Sequence, residues 1–516
     1  MSTLDPIQLR VLISALNGLA SEGLALFIQS ARSSNIKERQ DCSSALFDRS
    51  GNLVAQSESI PVHLGAMPEA VRAVIACQPQ PGDVFVLNDP FCGGTHLPDV
   101  TLVSPIVSQN EICAYYCSRG HHSDIGGMAP GSMPAHSTDI FQEGLILPPV
   151  RLVQAGKPVE DLWRVLLANV RLPEVRRGDL QAQIASHRLA EDRFTALIAK
   201  YGLATLQQAM TETMAYAERR SRACIQALPD GVYRAEDRLE GDGQSEADIP
   251  LRLALTIQGD SLTADFRDCA DQVAGNLNCP RSVACSAAYF AVRCLLSSDV
   301  PANAGVYRPV TVLTRPGSLV DAQAPAAVVA GNVETSQRLT DLMLACLSQA
   351  AGGWVAQGQG TMNNLIMGGS DGQGQAWAYY ETIGGGGPAT RSGPGLSCAQ
   401  WAMTNTLNTP IEALEQTFPL RVERYEPRLG SGGQGQHRGG DGIVRSIRVL
   451  QPTYISLLTE RRKYAPQGES GGQPGAVGVN ALNGQPLAAK VSLNLQPGDL
   501  ISIETPGGGG WGKAAD

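Results

Sequence analysis

Nothing in this 516-residue chain forms a cysteine framework. Its 12 cysteines are scattered, no CxxC occurs, and the nearest pair, Cys113 and Cys117, is a CxxxC. That excludes a zinc ribbon and a disulfide-stapled secreted scaffold. Cys77, Cys224, Cys294 and Cys346 fall in apolar runs, where a free thiol behaves as a small buried hydrophobe. A basic patch is missing too. The net charge is −9, and the densest cationic run is Arg461-Arg462-Lys463, directly after Glu460. A nucleic-acid partner is therefore not expected. The N-terminus has no basic n-region or small-residue cleavage site, and no run reaches the ~20 apolar residues of a membrane span. The expectation is a reduced, cytoplasmic protein with no membrane partner.

Nucleotide and hydrolase motifs fail on context. Gly507 to Gly512-Lys513 resembles a phosphate loop, but Ala514 replaces the Ser/Thr and only three residues follow the lysine, too few for the required helix. Gly368-Gly369-Ser370-Asp371-Gly372 matches the nucleophile elbow. However, the strand-like Ala376-Trp377-Ala378-Tyr379-Tyr380 follows where a helix is needed, so a hairpin turn is predicted. Gly384 to Gly387 has neither dinucleotide spacing nor a βαβ setting.

What the chain does have is histidine in a concentrated place. Five of its seven histidines lie between positions 63 and 136, most of them in glycine- and aspartate-rich phrases. The sharpest are Asn88-Asp89-Pro90 through Thr95-His96-Leu97-Pro98-Asp99, and His121-His122-Ser123-Asp124-Ile125-Gly126-Gly127. Imidazole with carboxylate suits zinc, manganese or iron better than magnesium or calcium. Glycine lets the backbone turn sharply enough to aim such short side chains at one point. His187 lies in a helical run and His437 in a glycine loop, neither with a partner visible in sequence.

At 43% hydrophobic and 17% charged residues, the composition is that of a globular enzyme-sized protein of two or three domains. Asp5-Pro6 opens a long amphipathic helix, with Leu9, Leu12, Ile13, Leu16 and Leu19 at helical spacing. A hairpin over 42–56 and strands near 84–87, 102–107 and 111–117 follow, placing the histidine phrases at strand ends. Two or three helices fill 159–228, broken at Gly202 and ended by Pro229-Asp230-Gly231. The prediction is a mixed α/β (α+β) fold of multi-layer mixed sheets and helices, in tightly associated domains. Their boundaries are 1–158 (metal-bearing), 159–230 (helical) and 231–516 (mixed and glycine-rich). No repeat of fixed period is present.

Longer phrases carry a resemblance. Glu38-Arg39-Gln40-Asp41-Cys42-Ser43, the two histidine phrases and Glu143-Gly144-Leu145-Ile146-Leu147-Pro148-Pro149-Val150 are similar to the hydantoinase B/oxoprolinase family. So are Gly331-Asn332-Val333-Glu334-Thr335-Ser336-Gln337-Arg338, Thr404-Asn405-Thr406 and Ser431-Gly432-Gly433-Gln434-Gly435. The resemblance implies the beta-type, metal-bearing half of an ATP-dependent amidohydrolase that opens 5-oxoproline, hydantoin or a related lactam. Its ATP, with magnesium, belongs to a hydantoinase A-type partner that phosphorylates the ring carbonyl, in a hetero-oligomer. Carried over, the metal ligands are Asp41, His96, Asp99 and His121, with His122, Asp89 and His63 as further or outer candidates. A carboxylate near the metal (Asp99, Asp124 or Glu143) would move the proton. Two alternatives stay open: a subunit of an ATP-dependent acetone/acetophenone-type carboxylase, and a non-catalytic scaffold for an ATP-binding subunit. In the glycine-rich third, Gly385, Gly386, Gly433 and Gly435 are expected to line the substrate pocket or partner interface, with Arg391 and Arg438 on an anionic group. Arg391-Ser392-Gly393-Pro394-Gly395 departs from the family in lacking an Asp-Gly.

Overall fold

The computed structural model describes residues 4–57 and 60–514. Helix α1 (Pro6–Ser30) starts as its sequence dictates: the Asp5 carboxylate accepts from Gln8 N at 3.1 Å, and Pro6 occupies the first turn. By length and composition α1 could cross a membrane, which the reading of apolar runs did not anticipate. In the fold its Leu12, Leu16, Leu19 and Phe27 are buried against the rest of the chain.

After a single turn, α2 (Ser34–Lys37), the chain builds its largest sheet. The strands are β1 (Cys42–Asp48), β2 (Leu53–Gln56), β3 (Val84–Leu87), β4 (Asp99–Ser108), β5 (Glu111–His121), β6 (Val150–Gln154) and β7 (Lys157–Pro158), with helix α3 (Met67–Ala76) inserted after β2. Their order is β2-β1-β5-β4-β3-β6-β7, with antiparallel neighbours throughout. Successive side chains on a strand point to opposite faces, and here both faces are covered. Leu46, Ala114 and Tyr116 join α1, while Ala45, Phe47, Val103 and Cys117 enter the largest core.

Helices α4 (Glu160–Ala168), α5 (Pro173–Tyr201) and α6 (Leu203–Gln226) follow, and α5 lies along α1. Gly202, at φ 81°, makes the predicted break between α5 and α6. A second sheet, ordered β11-β10-β9-β8, comprises β8 (Gly231–Glu240), β9 (Asp248–Gln258), β10 (Ser261–Asp265) and β11 (Val310–Leu313). Helices α7 (Arg281–Arg293), α8 (Ala304–Tyr307) and α9 (Ser336–Ala350) accompany it. The remaining elements are β12 (Asn364–Ser370), β13 (Ala376–Glu381), α10 (Ile411–Thr417), β14 (Leu420–Arg428), β15 (Gly442–Val449), β16 (Thr453–Leu458), β17 (Val479–Leu482), β18 (Gln485–Pro486), β19 (Lys490–Leu495) and β20 (Leu500–Glu504). They form two sheets, β13-β12-β16-β19 and β14-β15-β20-β17-β18. Leu365, Tyr379 and Leu457 of one meet Ile447, Ile501 and Ile503 of the other in a shared core. Ser370 ends β12 in a tight hairpin to β13, so it sits on no nucleophile elbow. The largest hydrophobic core draws on residues from Ala45 to Leu458.

The glycine-rich third is a lattice of backbone on backbone. Gly386 N donates to Pro506 O, Gly508 N to Gly440 O, Gly440 N to Gly387 O and Gly433 N to Gly508 O, each at 2.9–3.0 Å. None of these four glycines has positive φ; what they lack is room. A Cβ would lie 2.0 Å from Gly508 N at Gly386, 1.9 Å from Gly387 O at Gly508, and 2.1 Å from Gln473 O at Gly433. What the glycine backbone approaches so closely is other backbone, much of it glycine. Gly508→Ala should therefore cost about 3 kcal/mol in urea unfolding, because backbone cannot step aside. Gly393→Ala, with nothing within 4 Å of the new methyl, should be near neutral. Equal tolerance at the two positions would contradict the lattice.

His187 of α5 finds the partners its sequence hid. Ser104 and Ser118 hydroxyls lie 2.7 and 2.9 Å from its two ring nitrogens, and burial lowers its pKa from 6.5 to about 3. The folded ring is neutral, so this part of the stability is complete above pH 6.5 and is lost as pH falls toward 3. At pH 5 the loss should be about 2 kcal/mol. His187→Gln, which cannot titrate, should show less acid destabilisation between pH 7 and pH 5. An unchanged pH dependence would contradict the buried neutral ring.

Candidate metal centre

Strand register assembles the centre. In the β4–β5 ladder Asp99 pairs directly with His121, and β1 pairs Cys42 with Gly120. His121 N then donates to Asp41 O at 3.0 Å, which places Asp41 at the same sheet end. The loop before β4 brings in His96. Asn88 staples that loop, donating to Leu97 O at 2.8 Å and accepting from Leu147 N at 2.7 Å. Gly93 adopts φ 93°, and a Cβ on Gly94 would meet Asn88 O at 2.3 Å, so both glycines are required by the turn. Asp89, a sequence candidate, caps this turn by accepting from Phe91 N at 2.9 Å.

Asp99 is the hub. Its Oδ2 lies 3.4 Å from His63 Nε2 and 3.3 Å from His96 Nε2, and it accepts from Thr95 Oγ1 at 2.5 Å and Asn332 Nδ2 at 3.4 Å. His63 is held from behind by Ser43, at 2.7 Å from Nδ1. His96 Nδ1 faces Val329 O at 3.3 Å, so the ring donates there and turns the Nε2 lone pair inward. The His96 and His121 rings sit 5.0 Å apart, and His121 stacks on Tyr380 at 4.6 Å. Arg39 lies over the Tyr380 ring at 4.7 Å and donates to Tyr380 O. Asn35 contacts His121 Nδ1 at 3.1 Å.

The cluster is almost closed to solvent, with Asp41 the most exposed member at 6%. Burial would push Asp99 up, but His96 and His63 beside it hold its carboxyl well below the ordinary range. Burial raises Asp41 to about 7, with Arg39 opposing and Asp99 adding to the rise. Burial, with His96 adding to it, holds His121 well below the usual imidazole value. His121 Nε2 is buried without a hydrogen-bond partner, as is Asn332 Oδ1, and His96 Nε2 faces only the Asp99 carboxylate. Buried polar atoms are seldom left so. Among the described residues no three His, Cys, Asp or Glu side chains are arranged as a ready metal shell. The donor chemistry nonetheless fits a divalent cation: two inward imidazole nitrogens beside two carboxylates.

Other sequence candidates have different work. His122 turns away to Gln183 of α5, 3.1 Å from its Nε2. Asp124 spends both carboxylate oxygens, Oδ2 on the Arg171 guanidinium at 2.9 Å and on Gly131 N, and Oδ1 on the amides of Gly126 and Arg171. Glu143 accepts from Val328 N, Val329 N and Ser137 Oγ, and so fixes the strap whose Val329 O orients His96. Burial raises its pKa to about 7 against those donors. Arg391 donates to Ala351 O and Gly352 O, and Arg438 pairs with Asp441 at 2.6 Å, so neither guanidinium is turned to the histidines. Gly385 meets Gln359, Gly433 meets Gln473 and Gly435 meets Trp511, within the lattice.

Reading the residues one by one missed Asn332, Asn35, Thr95 and Tyr380. The signal for the first lay in the phrase Gly331 to Arg338. It opens with a π-helical turn, Gly331–Thr335, a form that recurs at functional sites. Glu334 on that turn accepts from Asn364, whose Oδ1 takes the Tyr380 hydroxyl. Because Asp124 is buried and fully engaged, Asp124→Asn should cost about 3 kcal/mol in stability while leaving the histidine cluster intact. Loss of activity with unchanged stability would instead return Asp124 to the chemistry.

Comparison with known proteins agrees with the family phrases. The sequence pattern described as hydantoinase B/oxoprolinase matches residues 5–514. The chain is 36% identical to 5-oxoprolinase 1 of Arabidopsis thaliana, over 99% of this chain but 42% of that protein. It is 30% identical to the B-type subunit of a putative D-/L-hydantoinase of Pseudomonas sp., over 99% of this chain and 91% of that subunit. The crystal structure of the ATP-dependent caprolactamase from Pseudomonas jessenii superposes with a TM-score of 0.92 at 28% identity, covering 99% of this chain and 92% of the other.

Proposed function

The chain belongs to the hydantoinase B/oxoprolinase family, and on that footing we propose that it is the hydrolytic, metal-bearing half of an ATP-dependent cyclic amidohydrolase. Its substrate would be a 5-oxoproline, hydantoin or related lactam ring whose carbonyl a hydantoinase A-type ATP-binding subunit has phosphorylated. The observation that carries this reading is the convergence of two buried imidazole nitrogens on two carboxylates: His96 Nε2 faces Asp99 at 3.3 Å, and His121 Nε2 has no hydrogen-bond partner. A scaffold protein has no reason to bury an unsatisfied imidazole nitrogen beside such a cluster.

His96, His121, Asp41 and Asp99 would hold the zinc, manganese or iron, which supplies Lewis acidity for attack on an activated carbonyl. His96 already has the required tautomer, fixed by Val329 O. Asn35 would fix His121 once its amide presents Oδ1, now unpartnered, to the ring Nδ1–H. Tyr380 clamps the His121 ring from its face, and Arg39 holds Tyr380. Of the three carboxylates expected to move the proton, Asp99 is the one inside the cluster. His63, backed by Ser43, stands 3.4 Å from it. Asp124 and Glu143 position the loops instead.

The isolated chain should open no ring. Mixed with an A-type partner and ATP, it should open the ring with coupled ATP hydrolysis. His96→Ala in that complex should lower kcat/KM at least about 100-fold with the fold unchanged by circular dichroism. Full turnover without ATP or partner would overturn the division of labour.

A further inference from the structure

A cleft of about 350 Å³ opens where α3, α7 and α8 meet the turn between β1 and β2. That falls within the range of small-molecule sites, roughly 300–1,000 Å³. None of Asp41, His63, His96, Asp99 and His121 lines it. Gly65, two residues after His63, does. Its amide donates to Ser286 Oγ of α7 at 2.8 Å, and that hydroxyl donates to Val62 O at 2.6 Å. The helix walling the cleft is thus clasped to the turn that carries His63.

The lining is cationic and open to solvent. Arg72, Arg281 and Arg308 face it against a single carboxylate, Glu69. Two of the three guanidinium groups are already fixed in place. Arg281 donates through Nη2 to Val312 O at 3.2 Å and through Nη1 to Glu69 at 3.4 Å, and Arg308 Nη1 lies 2.9 Å from Glu218. Glu218 is itself shared with Arg222. Among the described residues Arg72 makes no ion pair or hydrogen bond, although its charge acts on Glu69. Each guanidinium therefore keeps N–H donors to spare, and bracing lowers the entropy lost on binding. With side chains 46% and 43% exposed, Arg281 and Arg308 hold those donors within a ligand's reach. Tyr289, stacked on Tyr307 at 4.2 Å, adds an aromatic wall.

Three cations against one carboxylate favour a dianion over a monoanion in a concave site. The planar guanidinium fork matches phosphate oxygens in pairs. We propose that this cleft is a binding site for a phosphate dianion, either free or as the head of a small monoester whose organic part lies against Tyr289. The site draws on positions 72, 281 and 308, which no local motif groups together. It stands independently of the hydrolytic reading, because every residue it uses belongs to this chain and none to the histidine cluster.

Calorimetric titration of the protein at low salt tests it, with orthophosphate, phenyl phosphate and acetate as probes. Orthophosphate should saturate one site per chain and bind at least about 10-fold tighter than acetate. Arg72→Gln should weaken phosphate binding at least about 10-fold with the melting temperature of the unliganded chain unchanged. Glu69→Gln, which removes the competing carboxylate, should tighten it about threefold. Arg164→Gln makes the same charge change on exposed α4 and should have no effect. Phenyl phosphate binding tighter than orthophosphate, by a margin that Tyr289→Leu abolishes, assigns the monoester; equal affinity assigns free phosphate. Absence of saturable phosphate binding, or acetate binding as tightly, overturns the proposal. So does a loss in Arg164→Gln equal to that in Arg72→Gln, or weaker binding in Glu69→Gln.

Discussion

The antiparallel pairing of β4 with β5 sets Asp99 opposite His121, and the other members of the cluster are arranged around that register. A slip of one residue would turn Asp99 and His121 to the other face of the sheet. The sheet resists such a slip because both faces are buried, against α1 on one side and the largest core on the other. With the register fixed, Asp41 arrives one residue before β1, and the Asn88-stapled loop delivers His96. A buried carboxylate is costly unless it is paired. Asp99 meets this through His63, His96, Thr95 and Asn332, which is why residues from separate stretches of chain converge on one oxygen.

The strap from Val328 to Arg338 links this centre to the rest of the molecule. Glu143 holds the Val328 and Val329 amides, Val329 O orients His96, Asn332 reaches Asp99, and Glu334 connects through Asn364 to the Tyr380 that stacks on His121. The N-terminal sheet supplies the candidate ligating side chains, while the strap and β13 set their orientation. That division explains why the large core draws on both halves of the chain.

Much of this was legible in the sequence because it is local. The capped opening helix, the hairpin over β1 and β2, the break at Gly202 and the hairpin at Ser370 all rest on short-range chemistry, and all are present. The clustering of His96, Asp99 and His121 could be read from glycine-rich phrases at strand ends. What could not be read was which nearby polar residue spends its side chain on structure. Asp124 and Glu143 look in sequence like His96 and Asp99. Only long-range partners, Arg171 for one and the Val328 and Val329 amides for the other, show that their oxygens are taken. Asn332 and Tyr380 escaped for the same reason, since they lie hundreds of residues from the atoms they touch. The glycines pack closely against other backbone. Their neighbours, several of them other glycine segments, depend on a tertiary packing that no local pattern records.

The central claim is that His96 Nε2 and His121 Nε2 are metal donors, and X-ray absorption spectroscopy of the purified protein with elemental analysis addresses it directly. The expected result is about one zinc, manganese or iron per chain, with multiple-scattering features of two imidazoles that fall to one in His121→Ala. A protein that binds no divalent metal, or one whose metal shell keeps both imidazoles in that variant, would contradict it.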